Sequence, residues 1–458
     1  MASRTQGMAQ RLQQSRTRTA DDLVATLRQF GEPLPELRHP GEFGAAFDRF
    51  GSAQVVLLGE ATHGTSEFYR ARAAITRRLI EQHGFSIVAV EADWPDAARI
   101  DAYVRHFAPK PERDDAFTRF PQWMWRNDEV AAFVDWLRVH NRDVEEAQRV
   151  SFRGLDIYSL GASIASVLEY LDRRDPARAA EARQRYGCLT PWQEDPAFYG
   201  REVLLGAADA CEAEVVAQLQ ELLEQRLVYL KDDGEEFFDA AQNARVVRSA
   251  EQYYRLMYRS YGESWNLRDR HMFDTLQALL RSAHRLGKGA AAPKAVIWAH
   301  NSHVGNAAAT AMGWQGEFNI GELCRKAYGA DAVLIGFGTD RGTVAAASDW
   351  GAPMEIKSVR PARSDSYEHA FREAGHSRSL TEWRFAAKAR LSEQLSASLL
   401  ERAIGVIYRP ESELQSHYFE SALAEQFDAW VWFEETSAVM PLAAGRATGM
   451  PETYPFGM

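Results

Sequence analysis

The stretch VVLLGEATHG, Val55 to Gly64, decides how the rest of the chain is read. Val55 to Leu58 are four consecutive apolar residues followed by a glycine, the pattern of a strand buried on both faces. Behind them, TSEFYRARAAITRRLIEQHG carries Phe68, Ala71, Ile75 and Leu79 at helical spacing. A helix over residues 66–83 is expected, closed by Gly84 as C-cap. Glu60 and His63 therefore sit at a strand-to-helix turn. In open α/β sheets such turns lie at the carboxyl edge of the strands, where ligands bind.

Outward from this unit, residues 87–90 (IVAV) read as a second strand running straight into Glu91, Ala92 and Asp93. Strand, helix and strand make a right-handed parallel crossover, so the two strands are expected to lie side by side, with Glu60, His63 and Glu91 as neighbours. Helices are expected over 20–28, 96–107 and 128–140, the last capped by Asn127 or Asp128. A third strand, 150–155, ends at Asp156. From Ser159 to Gly287 strand patterns give way to helical periodicity, with Tyr253, Tyr254 and Tyr258 and the polar cluster SWNLRDRHM inside it. Strands return at 295–298 (AVIW), 332–337, 404–408 and 430–433.

The expected fold class is α/β: a mostly parallel central sheet flanked by helices, with a large helical insertion or cap subdomain. Its parts are a disordered tail over 1–18, a first core section over 19–158, the insertion over 159–287 and a second core section over 288–458.

Composition narrows the function. Hydrophobic residues make up 46% and charged residues 26% of 458, ordinary values for a globular protein with a sizeable core. The net charge of −11 argues against nucleic acid or an anionic membrane as partner. Three scattered cysteines, Cys188, Cys211 and Cys324, show no framework spacing, which favours a reducing compartment. With no apolar leader and no run of about 18 apolar residues to span a bilayer, a cytoplasmic location is expected.

Glu60 and His63 have the chemistry of a base and its orienting carboxylate: the acid fixes the imidazole tautomer and stabilises the imidazolium. An E-x-x-H pair can equally cap a helix. Glu91, directly at a strand end, needs a partner if buried, while Asp93 suits a helix N-terminus. Arg72 is placed to reach back to an acid at the sheet edge, or to lie in solvent. His300 and His303, after AVIW, can donate hydrogen bonds to an oxyanion or form half of a metal site with Glu60, His63 and Glu91. There is no G-x-S-x-G elbow, dinucleotide turn, Walker A loop or H-E-x-x-H motif, so the common serine, nucleotide and zinc mechanisms lose support.

LLGEATHGTSEFYRARAAITRRLI, VAVEADW, RGLDIYSL, VIWAHNSHVGN, LIGFGTDRGTVAAASDW and GVIYRPESELQSHYFESALAEQFDAWVWFEET occur in this order. Together they resemble the erythromycin esterase family, whose name comes from macrolide-resistance members. The resemblance implies an α/β core with a helical portion, no cofactor and no nucleophilic serine. It implies hydrolysis of a small-molecule ester or lactone by a water that a histidine activates. By motif it carries the general base onto His63 and the acid onto Glu60. The helix arginine falls on Arg72, the acid after the second strand on Glu91, and the H-x-x-H pair on His300 and His303. The alternative is a metal- or iron-cofactor-binding protein, or a metal-dependent hydrolase, using the same His/Glu cluster.

Overall fold

The computed structural model describes residues 22–107, 116–193, 195–224, 226–286, 292–384 and 388–442. The expected tail over 1–18 and the 287/288 boundary lie outside them.

Among the described residues the strands are β1 (Glu32–Pro33), β2 (Val55–Leu58), β3 (Ile87–Asp93), β4 (Ser151–Asp156), β5 (Ala295–Trp298), β6 (Ala332–Ala347), β7 (Met354–Val359), β8 (Arg378–Glu382), β9 (Leu399–Arg402), β10 (Tyr418–Ser421) and β11 (Ala429–Thr436). The main sheet runs β1-β8-β11-β6-β2-β5-β3-β4, with β7 beside β6. From β11 to β4 every pairing is parallel, while β1, β7 and β8 are antiparallel additions. A mostly parallel sheet flanked by helices, with an extended helical section, is the architecture expected.

The centre of the sheet is apolar on both sides because helices cover both. Val56 and Leu58 of β2 join a core with Phe68, Ile75 and Leu79 of the Ser66–His83 helix, whereas Val55 and Leu57 face a second core with Leu276 and Leu279 of the Tyr261–Leu286 helix. The Ser66–His83 helix stops at Gly84, whose φ of 71° is left-handed and whose N–H returns to Leu79; a glycine takes this conformation without strain. Gly64 answers a different need: a Cβ there would collide with the Ala345 carbonyl of β6. The Asp128–His140 helix starts at Asn127, whose side chain accepts from the Val130 N–H.

Three expectations change. β2 and β3 are not neighbours: β5 lies between them, with Trp298 in register with both Leu58 and Val90. The βαβ pattern fixes direction and handedness, but strand order is a tertiary outcome, and the late strand AVIW enters the gap. Residues 404–408 are not a strand. They cross the strand ends as a buried loop, with isolated bridges from Ile404 to Thr62 and from Ile407 to Ala347, so their apolar character reflects burial rather than pairing. Third, Cys188 and Cys211 form a disulfide within the helical section, their Cα atoms 6.0 Å apart, so the cysteine pattern no longer argues for a reducing compartment.

Residues 160–286 are largely helical, and their core holds Tyr158, Val167, Tyr199, Tyr253 and Tyr254. Among the described residues no helix is long and apolar enough to cross a membrane.

Candidate active site

The register of β2, β5 and β3 aligns the residues at their carboxyl ends. Glu60 comes two positions after Leu58, His300 two after Trp298 and Glu91 one after Val90. All three therefore emerge at one sheet edge.

On the β2 side the chain builds a short relay. His63 Nδ1 lies 3.0 Å from Glu60 Oε1, and Arg72 Nη2 donates to Glu60 Oε2 at 2.6 Å. A carboxylate can only accept, so Nδ1 carries the proton and Nε2 is the basic nitrogen. Arg72 is fully buried; its guanidinium lies over the rings of Tyr69 and Trp298, at 4.4 and 5.2 Å. Two aromatic faces thus shield a cation that has a single carboxylate partner among the described residues. Tyr69 fixes the turn by donating to the His63 carbonyl at 2.9 Å.

On the β3 side charges are shared more widely. Glu91 Oε1 accepts from Arg268 Nη2 at 2.7 Å and lies 3.3 Å from His303 Nε2, while Oε2 accepts from the His300 backbone N–H at 2.9 Å. Arg268 also grips Asp156 with Nε at 2.9 Å and Nη2 at 2.6 Å. His303 Nδ1 is 3.0 Å from both oxygens of Asp269, and the Trp265 ring stacks on His303 at 4.5 Å, almost parallel. Burial disfavours a charged Glu91, but His303 and Arg268 outweigh it and hold the carboxyl well below its usual range. Burial also disfavours the His303 imidazolium, yet Asp269 and Glu91 raise its pKa to about 9. Asp93 is different: burial, reinforced by Asp96 and Asp156 against Arg119, lifts it to about 7.

Between the two sides, the His63 and His300 rings are 4.9 Å apart. Burial above all, with repulsion from His63 whenever that ring is protonated, keeps His300 well below the usual imidazole range, hence neutral. Its Nδ1 accepts from the Ser302 N–H at 3.2 Å, which puts the ring proton on Nε2. That atom is buried without a hydrogen-bond partner among the described residues.

All six residues singled out from the sequence are thus in one cluster, but not equally placed. His63 and Glu91 line a cleft open to solvent, with about 590 Å³ of empty space, together with Asp93, Asp156, Tyr158 and Arg268. Glu60, Arg72, His300 and His303 are buried behind it. Phe117, Phe120, Trp125 and Val406 supply an apolar wall. Arg268 and Asp269 went unassigned in sequence; the only signal was their position in SWNLRDRHM, a polar interruption of a helix. Asp156 gave the weak signal of an acid after a strand. Among the described residues no group of three or more His, Cys, Asp or Glu side chains is arranged to hold a metal ion, because these donors already face one another or arginine.

The same architecture occurs in solved structures. A Bacillus cereus protein superposes with a TM-score of 0.75 at 19% identity, covering 93% of this chain and 99% of its own. An erythromycin esterase mutant in its open conformation gives 0.65 at 19% identity, covering 91% and 99%. An Escherichia coli protein named erythromycin esterase type II is 28% identical over 138 residues, 29% of this chain and 32% of that protein, so the match spans about a third of the relative's length. The family model described as erythromycin esterase matches residues 80–436. That match begins after Glu60, His63 and Arg72, whose arrangement rests on geometry alone. It takes in well over half of the chain, and the protein belongs to the erythromycin esterase family.

Proposed function

We propose that the protein hydrolyses an ester or lactone by direct attack of water, with His63 as general base. The observation that carries this reading is the His63–Glu60–Arg72 relay, which leaves Nε2 as the basic nitrogen of a cleft-lining imidazole. His63 takes a proton from water as the water oxygen bonds to the acyl carbon and the carbonyl π pair moves onto oxygen. Collapse of the tetrahedral intermediate breaks the acyl C–O bond, and the His63 imidazolium returns the proton to the leaving alkoxide. Acid and alcohol result, joined as one hydroxy acid when the substrate is a lactone.

Glu60 stabilises the imidazolium, and Arg72 holds Glu60 in place. Arg268, the buried cation on the cleft wall, is the donor assigned to the carbonyl oxygen as it gains charge, while the neutral His300 ring backs His63 from behind the cleft. His303 keeps Glu91 ionised, and Glu91 in turn orients the His300 backbone. The apolar wall of Phe117, Phe120 and Trp125 suits a substrate with hydrophobic bulk beside its ester, and macrolide lactones belong in the panel on the strength of the family.

The test is turnover of a panel of macrolides, smaller lactones and aryl esters by wild type and by His63→Asn, each with and without a chelator. Wild type is expected to hydrolyse at least one class, unaffected by chelation, with a loss of roughly 10³-fold in the variant. A folded His63→Asn protein with wild-type rates would overturn the assignment. Activity abolished by the chelator and restored by a divalent ion would favour the metal-dependent alternative.

A further inference from the structure

The Arg226–Leu256 and Tyr261–Leu286 helices pack together. Away from the cleft they enclose a separate depression of about 350 Å³ of empty space, lined by Arg245, Arg248, Ser249, Arg270, His271 and Thr275. On the first helix Arg245, Arg248 and Ser249 follow i, i+3, i+4 spacing; on the second, His271 and Thr275 are i, i+4. Each set therefore shares one face. Asp274 is the one acid on the lining, and Arg281 adds its positive charge to the field at Arg245. In a chain of net charge −11 this is a local reversal of sign.

Asp274 is the counter-charge felt by Arg245, and no closer ion pair is formed by the three arginines among the described residues. Arg245 is half-buried, and its Nε is enclosed without a hydrogen-bond partner. Arg248 and Arg270 form no ion pair among the described residues, the latter resting instead over the Phe318 ring at 5.0 Å. Burial and the charges of Arg248 and Arg281 depress the Arg245 pKa against the opposing pull of Asp274, and burial drives His271 down to about 3. His271 is thus neutral and adds no charge of its own. Ser249, 3.0 Å from His271 Nδ1, and Thr275 add hydroxyls on the same lining. Like charges on one helix face repel, and a buried guanidinium N–H without an acceptor costs free energy. Both costs are offset by an anion with several acceptor oxygens, the partner that the arginine fork matches best.

We propose that this depression is a binding site for a phosphate group, held by Arg245, Arg248 and Arg270, with one further donor from whichever of the Ser249 and Thr275 hydroxyls accepts the His271 ring proton. The group is either inorganic phosphate or the phosphoryl end of a small metabolite. The site is distinct from the cleft, although His271 lies one helical turn beyond Arg268.

The experiment titrates the full chain at constant ionic strength, balanced with chloride, with inorganic phosphate and separately with glycerol phosphate. Binding is read by calorimetry and by melting temperature. Saturable one-site binding with a millimolar or tighter dissociation constant is expected, raising the melting temperature with concentration. Arg245→Gln and Arg248→Gln should each weaken it at least tenfold, whereas Arg173→Gln, at an exposed arginine outside the depression, leaves it unchanged. Arg248 is exposed, so its variant tests the site without disturbing the fold. Glycerol phosphate binding at least tenfold tighter than inorganic phosphate identifies a phosphorylated metabolite as the occupant; equal or weaker binding identifies free phosphate. No saturable binding of either probe above the chloride control, or binding that Arg248→Gln leaves intact, overturns the proposal.

Discussion

The two sides of the cleft solve the same problem, a buried arginine among carboxylates, by different means. On the β2 side Arg72 meets one acid, Glu60, 12 residues away, and aromatic rings cover the rest of the guanidinium. On the β3 side Arg268 meets Asp156, 112 residues away, and Glu91, 177 residues away, while His303 and Asp269 extend the network. The first is a local relay that a single strand-helix turn assembles. The second is a clasp that fastens the helical section to the sheet. The difference teaches that the β2 side is tuned to hold one imidazole, whereas the β3 side carries tertiary stability as well as charge.

Removing the two arginines tests this most directly. Arg268→Ala leaves Glu91 and Asp156 buried without their shared cation and should cost about 3–5 kcal/mol of unfolding free energy. Arg72→Ala strands only Glu60, which keeps His63, and should cost about 2 kcal/mol. Urea denaturation of both variants measures the gap; equal losses would erase the contrast between relay and clasp.

Glu60→Gln addresses activity instead. The amide cannot stabilise the His63 imidazolium, so kcat is expected to fall by about 10²-fold or more while the urea midpoint moves little. A loss confined to KM would remove Glu60 from the relay.

A pH series separates the sides further. His303 is raised to about 9 in the fold from an ordinary 6.5. Its contribution is complete below pH 6.5 and is lost as pH rises towards about 9. Glu91 is depressed, so its contribution is present above the ordinary glutamate value of about 4.3 and is lost as pH falls below it. Melting temperature should decline at both ends, and Asp269→Asn should flatten the alkaline limb alone. An unchanged alkaline limb in that variant would detach His303 from Asp269. The smallest effect is expected for Ser302→Ala, which removes the hydroxyl 2.8 Å from His300 Nδ1 but leaves the backbone donor. About 1 kcal/mol is expected, and a larger loss would give that hydroxyl a greater part in fixing the His300 tautomer.

The contrast also explains what the sequence disclosed. Glu60 and His63 are three residues apart at a strand-to-helix turn, so periodicity is enough to bring them to one edge, whereas Arg72 on the next helix stays between that edge and solvent until the family motif places it. The bounds of β2 and β5 were legible for the same reason, being short apolar runs between glycine, charge or histidine. Arg268 and Asp269 were hidden in a 26-residue helix, where a charged side chain normally reads as a solvated face. Nothing local marks that their helix turns this face to Glu91. Residues 404–408 misled because an apolar run records burial and not pairing. β7 escaped because its side chains are mostly half or fully exposed and lack the apolar run by which the central strands are recognised.

The position of β5 bears on how the molecule is made. β2, β3 and β4 are all complete by Asp156, yet β2 and β3 have no edge to share until β5, the strand from Ala295 to Trp298, arrives between them. During synthesis the first half of the sheet therefore waits, with β2 open on both edges and β3 on one, while the whole helical section is translated. Such non-local parallel pairing is intrinsically slow and leaves intermediates prone to association. His300 follows β5 by two residues, so the strand that joins β2 to β3 also delivers the imidazole beside His63, and a chain that stalls before it has neither a continuous sheet nor a complete candidate site.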